Sequence, residues 1–200
     1  MLLDADDSQL VLVDYQPKLM PAIFEAERVM ANAKRLAQLA QWLNVPCWGT
    51  EQVPDKLGPL EPSLAAACRQ VLVKSAFSAV ADGLGDCLVP TAKPVSGNAR
   101  SLPKHLQKAA PAPVQRSTLV LAGVEAHVCL LQTALELLEQ EFEVWVVTDA
   151  CSSRTERNRD AAFDRLAGAG AELVTTEMVG FEWLRDSAHP HFKDWQALIR

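Results

Sequence analysis

Apolar residues fall in short unbroken runs, separated by stretches in which they recur every three or four positions. Gln9 to Asp14 (QLVLVD) sets Leu10, Val11, Leu12 and Val13 side by side without alternation, which fits a strand buried on both faces. Glu27 to Leu43 has the other pattern. Val29, Leu36, Ala40 and Leu43 fall on one stripe, Arg28, Lys34, Arg35 and Gln41 on the opposite one, and the spacing predicts an amphipathic helix stopped at Asn44. Val45 to Thr50 and Gln70 to Lys74 read as second and third strands. The segment EQVPDKLGPLEP between them, rich in Pro and Gly, reads as a surface loop. Thr118 to Ala122 is a fourth apolar run broken by Gly123, after which Val128, Leu131, Leu135 and Leu138 recur at helical spacing. Strands at Glu143–Thr148 and Glu172–Thr175 follow, with helices at Thr155–Leu166, Met178–Leu184 and His191–Ile199.

Short apolar strands separated by helices predict an α/β chain with a mostly parallel sheet and helices on both faces. The 200 residues suit one domain. Residues 81–117 interrupt the pattern: Pro90, Pro94, Pro103, Pro111 and Pro113 mark a long excursion, with a short helix expected at Asn98–Ala109. Several strands end in a polar or ionisable residue: Asp14, Thr50, Lys74 and Asp149. In open α/β sheets ligands bind at the carboxyl ends of the strands, so these side chains gather chemistry along one rim.

Composition narrows the choice of partner. The formal net charge of −6 argues against nucleic acid and anionic membranes, and no apolar run approaches the roughly 20 residues of a membrane span. The acidic start MLLDADDSQL is unlike a signal peptide. The five cysteines are scattered with no C-x-x-C pair, which reads as reduced thiols in a cytoplasmic protein without structural zinc. The first strand is not followed by G-x-G-x-x-G, so a dinucleotide cofactor is not expected.

Cys129 then becomes the candidate nucleophile. It sits just past a strand, in the expected first turn of a helix, where free N–H groups and the helix dipole favour a thiolate. Asp14 and Lys74, from two other strand ends, supply a carboxylate to accept the thiol proton and an ammonium to hold negative charge. Backbone N–H groups in the Gly123–Cys129 turn are candidates for an oxyanion hole. His127, two residues before Cys129, would point away from it on a helix. Trp48, Glu51 and Phe77 are candidates to line a substrate pocket, and Phe181, Trp183 and Trp195 are candidates for subunit contacts.

These residues fall in an ordered set of motifs: VLVDYQ at Asp14, LVKSAFSA at Lys74, LAGVEAHVCLLQTALELL at Cys129, VTDACSSR at Asp149 and TTEMVGFEWL near the end. Over nearly its whole length the chain resembles the isochorismatase-like cysteine hydrolase superfamily. Within it, TEQVPDKLGPL and AHPHFKDWQALI resemble the isochorismatase domain-containing protein group. The resemblance implies a three-layer, Rossmann-like α/β/α fold with a six-stranded sheet and a homo-oligomer. It implies a catalytic triad of Asp14, Lys74 and Cys129, and a cis peptide at Val124–Glu125 that helps to form the oxyanion hole. Nicotinamidase-like members hold a divalent metal through histidines in the first half of the chain. This sequence has no histidine before His105, so no catalytic metal and no cofactor are expected.

The expected activity is hydrolysis of a small amide, carbamoyl or related C–N substrate through a thioester on Cys129. Two alternatives stand beside it. One is vinyl-ether hydrolysis of an isochorismate-type substrate, in which the cysteine is dispensable. The other is an idle α/β module used for assembly.

Overall fold

The computed structural model describes residues 1–89 and 116–200. The apolar runs form six strands: β1 (Ser8–Val13), β2 (Cys47–Gln52), β3 (Gln70–Lys74), β4 (Thr118–Gly123), β5 (Glu143–Val147) and β6 (Glu172–Val174). All neighbours pair in parallel, in the order β3-β2-β1-β4-β5-β6. The two central strands, β1 and β4, are buried at every position, as an unbroken apolar run requires when both faces are covered. Gly123 lets them close up at their carboxyl ends: a Cβ there would lie 2.6 Å from the Val13 carbonyl oxygen.

Eight α-helices lie among the described residues: α1 (Ala26–Trp42), α2 (Pro54–Leu57), α3 (Pro62–Ala67), α4 (Leu84–Leu88), α5 (Leu131–Glu139), α6 (Glu156–Gly168), α7 (Thr176–Leu184) and α8 (Phe192–Leu198). α1 packs against α3 and α7, and α5 packs against α6, which builds the outer layers of the α/β/α fold. The expected three-layer sheet architecture is present, and its strands are parallel throughout.

Three readings need correction. The EQVPDKLGPLEP loop contains α2 and leads into α3. Each helix opens on a proline at its first position, where the fixed φ suits a helix and the missing N–H costs nothing. Glu61 caps α3 by accepting the Ser63 and Leu64 N–H groups. Trp183 and Trp195 are core residues, not surface contacts, at 3% and 0% exposure. Trp195 lies against Gly180, where a Cβ would sit 2.0 Å from its ring; Phe181 alone of the three is exposed. Within the 81–117 excursion α4 is helical, and the helix expected at Asn98–Ala109 lies outside the described residues.

The strand order reverses between β1 and β4. A chain that leaves β1 turns one way and a chain that leaves β4 turns the other, so a crevice opens at their carboxyl ends.

Candidate active site

Asp14 is the first residue after β1 and takes a left-handed backbone, φ 54°. Few residues with a Cβ adopt that conformation, and Asp is among the more tolerant. The turn is fixed by the Gln16 N–H on the Asp14 carbonyl at 2.7 Å. Its carboxylate is fully buried, and Lys74, the last residue of β3, brings its ammonium to 2.8 Å from Oδ2 with both side chains at 0% exposure. Burying two charges costs several kcal/mol per ion before their attraction repays it, so such a pair is weak evidence of a stability role and better evidence of a site.

The remaining bonds settle which atom is open. Thr50 Oγ1 donates to Asp14 Oδ1 at 2.7 Å. Lys74 Nζ donates to Gln52 Oε1 (2.5 Å), Phe77 O (3.0 Å) and Ala76 O (3.3 Å). An ammonium has three hydrogens, and these three acceptors match them. Asp14 Oδ2 is paired with the Lys74 ammonium and meets no further well-directed donor among the described residues.

Cys129 faces this pair from the second half of the chain. It lies in a π-helical turn, Ala126–Leu130, ahead of α5, and is 7% exposed. π-turns are rare and recur at functional sites. Both Asp14 and Lys74 lie near enough to the thiol for their charges to act on it. Burial pushes the thiol up from 9.0 to about 12; the Asp14 charge adds to the rise and Lys74 opposes it. The helix start favours a thiolate, and burial works against it. The sulfur is a thiol at neutral pH, because desolvation outweighs the ammonium and the helix end.

The Val124–Glu125 peptide is cis. Val124 N–H donates to Val13 O at 3.0 Å and Ala126 N–H to Ser152 O at 2.7 Å. Glu125 pairs with Arg154 at 2.8 Å. His127 turns to Ser153, whose Oγ lies 2.9 Å from Nδ1.

The pocket candidates fare differently. Trp48 belongs to the other edge of the sheet: near the start of β2, its Nε1 donates to Gln9 Oε1, and it lines a cavity of about 520 Å³ with Arg69, Gln70 and Arg116. Its place in a substrate pocket is withdrawn, since an early strand position cannot reach the carboxyl rim. Glu51 Oε1 accepts the Leu60 N–H at 2.8 Å and so ties down the loop behind β2. Phe77 stays at the rim, with its carbonyl on Lys74 and a ring that is more than half exposed. Asp149 is drawn away from the triad to cap α7, accepting Thr176 N–H and Oγ1.

The residue that sequence reasoning undervalued is Gln52. Glu51 was the residue singled out, but alternation along β2 puts its neighbour Gln52 on the side of Thr50. Gln16 holds Gln52 by its backbone from both directions, accepting its N–H at 2.8 Å and donating to its carbonyl at 3.0 Å. Val53, next in the chain, donates its N–H to Lys74 O at 3.0 Å and takes φ 38°, a second left-handed residue near Lys74. Among the described residues, no group of three or more His, Cys, Asp or Glu side chains is placed to hold a metal ion.

The fold and rim define a parallel α/β protein with a carboxylate, an ammonium and a thiol converging at the switch point of its sheet. Residues 8–178 match the Isochorismatase domain family, and the chain belongs to it. It is 35% identical to isochorismatase domain-containing protein 2A of Mus musculus, over 98% of this chain and 84% of that protein. Among solved structures it is similar to the MAR1 ribonuclease of Caenorhabditis elegans, at 31% identity and a TM-score of 0.82, covering 100% of this chain and 92% of that one. It is also similar to YcaC of Escherichia coli, described as an octameric hydrolase of unknown specificity, at 27% identity and a TM-score of 0.77 over 100% and 95% of the two chains.

Proposed function

We propose that the chain is a cysteine hydrolase of small C–N substrates, an amide, carbamoyl or related group, acting through a thioester on Cys129. The observation that carries the reading is the open Oδ2 of Asp14 in a fully buried ion pair beside the Cys129 thiol. A thiol at about 12 needs a base at the moment of attack. In the reaction the sulfur bonds to the substrate carbonyl carbon while its proton moves to Asp14 Oδ2. The C–N bond then breaks as that proton passes to the leaving nitrogen. Water attacks the thioester, gives a proton to Asp14, and the sulfur recovers it as the acid departs. Lys74 holds the negative charge in place throughout.

The N–H groups of Val124, Ala126, His127, Val128 and Leu130 are committed to Val13, Ser152, Ser153 and Glu125. The reading therefore assigns the oxyanion to the N–H groups of Glu125 and Cys129. Phe77 borders the entrance. The C. elegans relative is described as a ribonuclease, but RNA binding rests on a basic groove. A chain of net charge −6 with its triad buried is better matched to a small uncharged or cationic substrate.

A homo-oligomer accompanies this reading. YcaC is described as octameric, and Val73, Phe77 and Phe181 are large apolar side chains left exposed here. No helix among the described residues is long and apolar enough to cross a membrane. All five cysteines are free, in keeping with a reducing cytoplasm.

The test is release of ammonia or amine over a panel of small amides, with the acyl-enzyme trapped by acid quench and weighed. The reading expects an adduct on Cys129 and none in Cys129→Ala. Pyruvate release from a vinyl ether by Cys129→Ala at the wild-type rate would replace it with the vinyl-ether mechanism. Inertness of both proteins toward every substrate would support the idle module.

A further inference from the structure

Two other thiols are paired at the far end of β2. Cys47 opens β2, Cys68 follows α3, and their sulfurs lie 3.6 Å apart. Both are free thiols; Cys47 is buried and Cys68 is half-buried with a face to solvent. Their neighbours hold them together. Arg69 N–H donates to the Cys47 carbonyl at 2.7 Å, which fixes the residue after Cys68 onto Cys47. Cys68 Sγ also reaches Leu64 O at 3.2 Å. Gly49 leaves the space: a Cβ there would lie 3.0 Å from Cys68 Sγ and 2.6 Å from a Leu60 methyl, so any side chain would displace the sulfur. No third ligand joins them among the described residues, so the chemistry on offer is that of two thiols, not of a metal site.

We infer that Cys47 and Cys68 form an oxidation site, which a hydroperoxide closes to an intramolecular disulfide. The pair is asymmetric in the sense the chemistry requires. Cys47 is buried, which raises its thiol, whereas Cys68 is half-buried with a face to solvent. Cys68, the accessible one, meets the peroxide first. Its thiolate attacks the peroxide, the O–O bond breaks, and Cys68 becomes a sulfenic acid as water leaves. Cys47 Sγ then bonds to Cys68 Sγ, and the displaced hydroxide leaves as water with the Cys47 proton. Two thiols and one hydrogen peroxide give one disulfide and two waters. The sulfurs need only close from 3.6 Å to about 2.0 Å, on backbones already joined. The inference does not depend on the proposed hydrolase activity, since neither sulfur touches Asp14, Lys74 or Cys129.

The experiment uses the full chain and hydrogen peroxide. One equivalent should lower the intact mass by about 2 Da, the two hydrogens of a thiol pair. Non-reducing peptide mapping should join the Cys47 and Cys68 peptides, and dithiothreitol should restore both thiols. In Cys47→Ser the Cys68 sulfenic acid should persist and be captured by dimedone. A Cys68 sulfinic acid with Cys47 still alkylatable, a bridge to any other cysteine, or survival of both thiols would overturn the inference. All of these are read on the wild-type chain, so a variant that folds poorly does not rescue it.

Discussion

Cys129 and Cys151 are both buried thiols near the carboxyl rim, and they differ in what surrounds them. Burial raises both above their ordinary value. Cys151 is walled in at 1% exposure; its sulfur faces the Leu121 carbonyl, and the one charge acting on it, Asp149, raises it further. Cys129 keeps a small open face and has an ammonium and a carboxylate beside it. Neither thiol is acidic at rest. On the proposed reading, what separates Cys129 from a core residue such as Cys151 is a neighbouring carboxylate able to accept its proton, not a low resting pKa.

The largest test of that contrast is loss of each sulfur in turn. Cys129→Ala should lower turnover on its substrate by about 10³-fold or more, and Cys151→Ala should stay within a few-fold, as steady-state kinetics will show. A comparable loss in both variants would erase the distinction. Next come the two charges. Asp14→Asn removes the acceptor and should cost about 10²–10⁴-fold in kcat. Lys74→Met strands a buried carboxylate, and urea denaturation should register a loss of about 3–5 kcal/mol. Gln52→Ala leaves the pair intact but frees one ammonium hydrogen. The expected loss is roughly tenfold in kcat, about 1.4 kcal/mol of barrier.

The last test is alkaline. The Cys129 thiol ionises near 9.0 when unfolded and near about 12 when folded, so above 9.0 the unfolded chain binds fewer protons than the folded one. Stability from this group is full below pH 9 and drains away as the pH rises toward 12. Tyr15, Cys47, Cys87 and Cys151 are also raised and keep their share of the fall, so Cys129→Ala should make that part of the stability–pH curve shallower, read by chemical denaturation at stepped pH. An unchanged slope would mean that the sulfur is better solvated than its burial indicates.

Much of the frame was legible because burial writes itself into the pattern of apolar residues. β1 and β4 are covered on both faces, and their unbroken runs announce it. Asp14 was legible for the same reason, as the first ionisable side chain after such a run; Lys74 ends an apolar run too, but β3 is an edge strand with Val73 exposed, so its own burial was not legible from that run. The position of Cys129 was readable too, but its protonation state was not. A helix start argues for a thiolate, and only the three-dimensional enclosure shows that desolvation prevails. Trp48 was misplaced because the strand pattern does not say how far a residue lies from the functional end. Trp183 and Trp195 were misassigned because the partner that covers them, Gly180 in the second case, contributes no side chain to the hydropathy signal. α2 and α3 were missed because proline marks a helix start as readily as a loop.

The pairing of β1 with β4 carries a last consequence. Both charged side chains of the proposed site come from the chain before residue 90, and the sulfur comes from the chain after residue 115. Each portion on its own is chemically mute. Severing the backbone between them would therefore turn turnover into a reporter of fragment complementation, with rate rising only as the two pieces re-associate along that central seam.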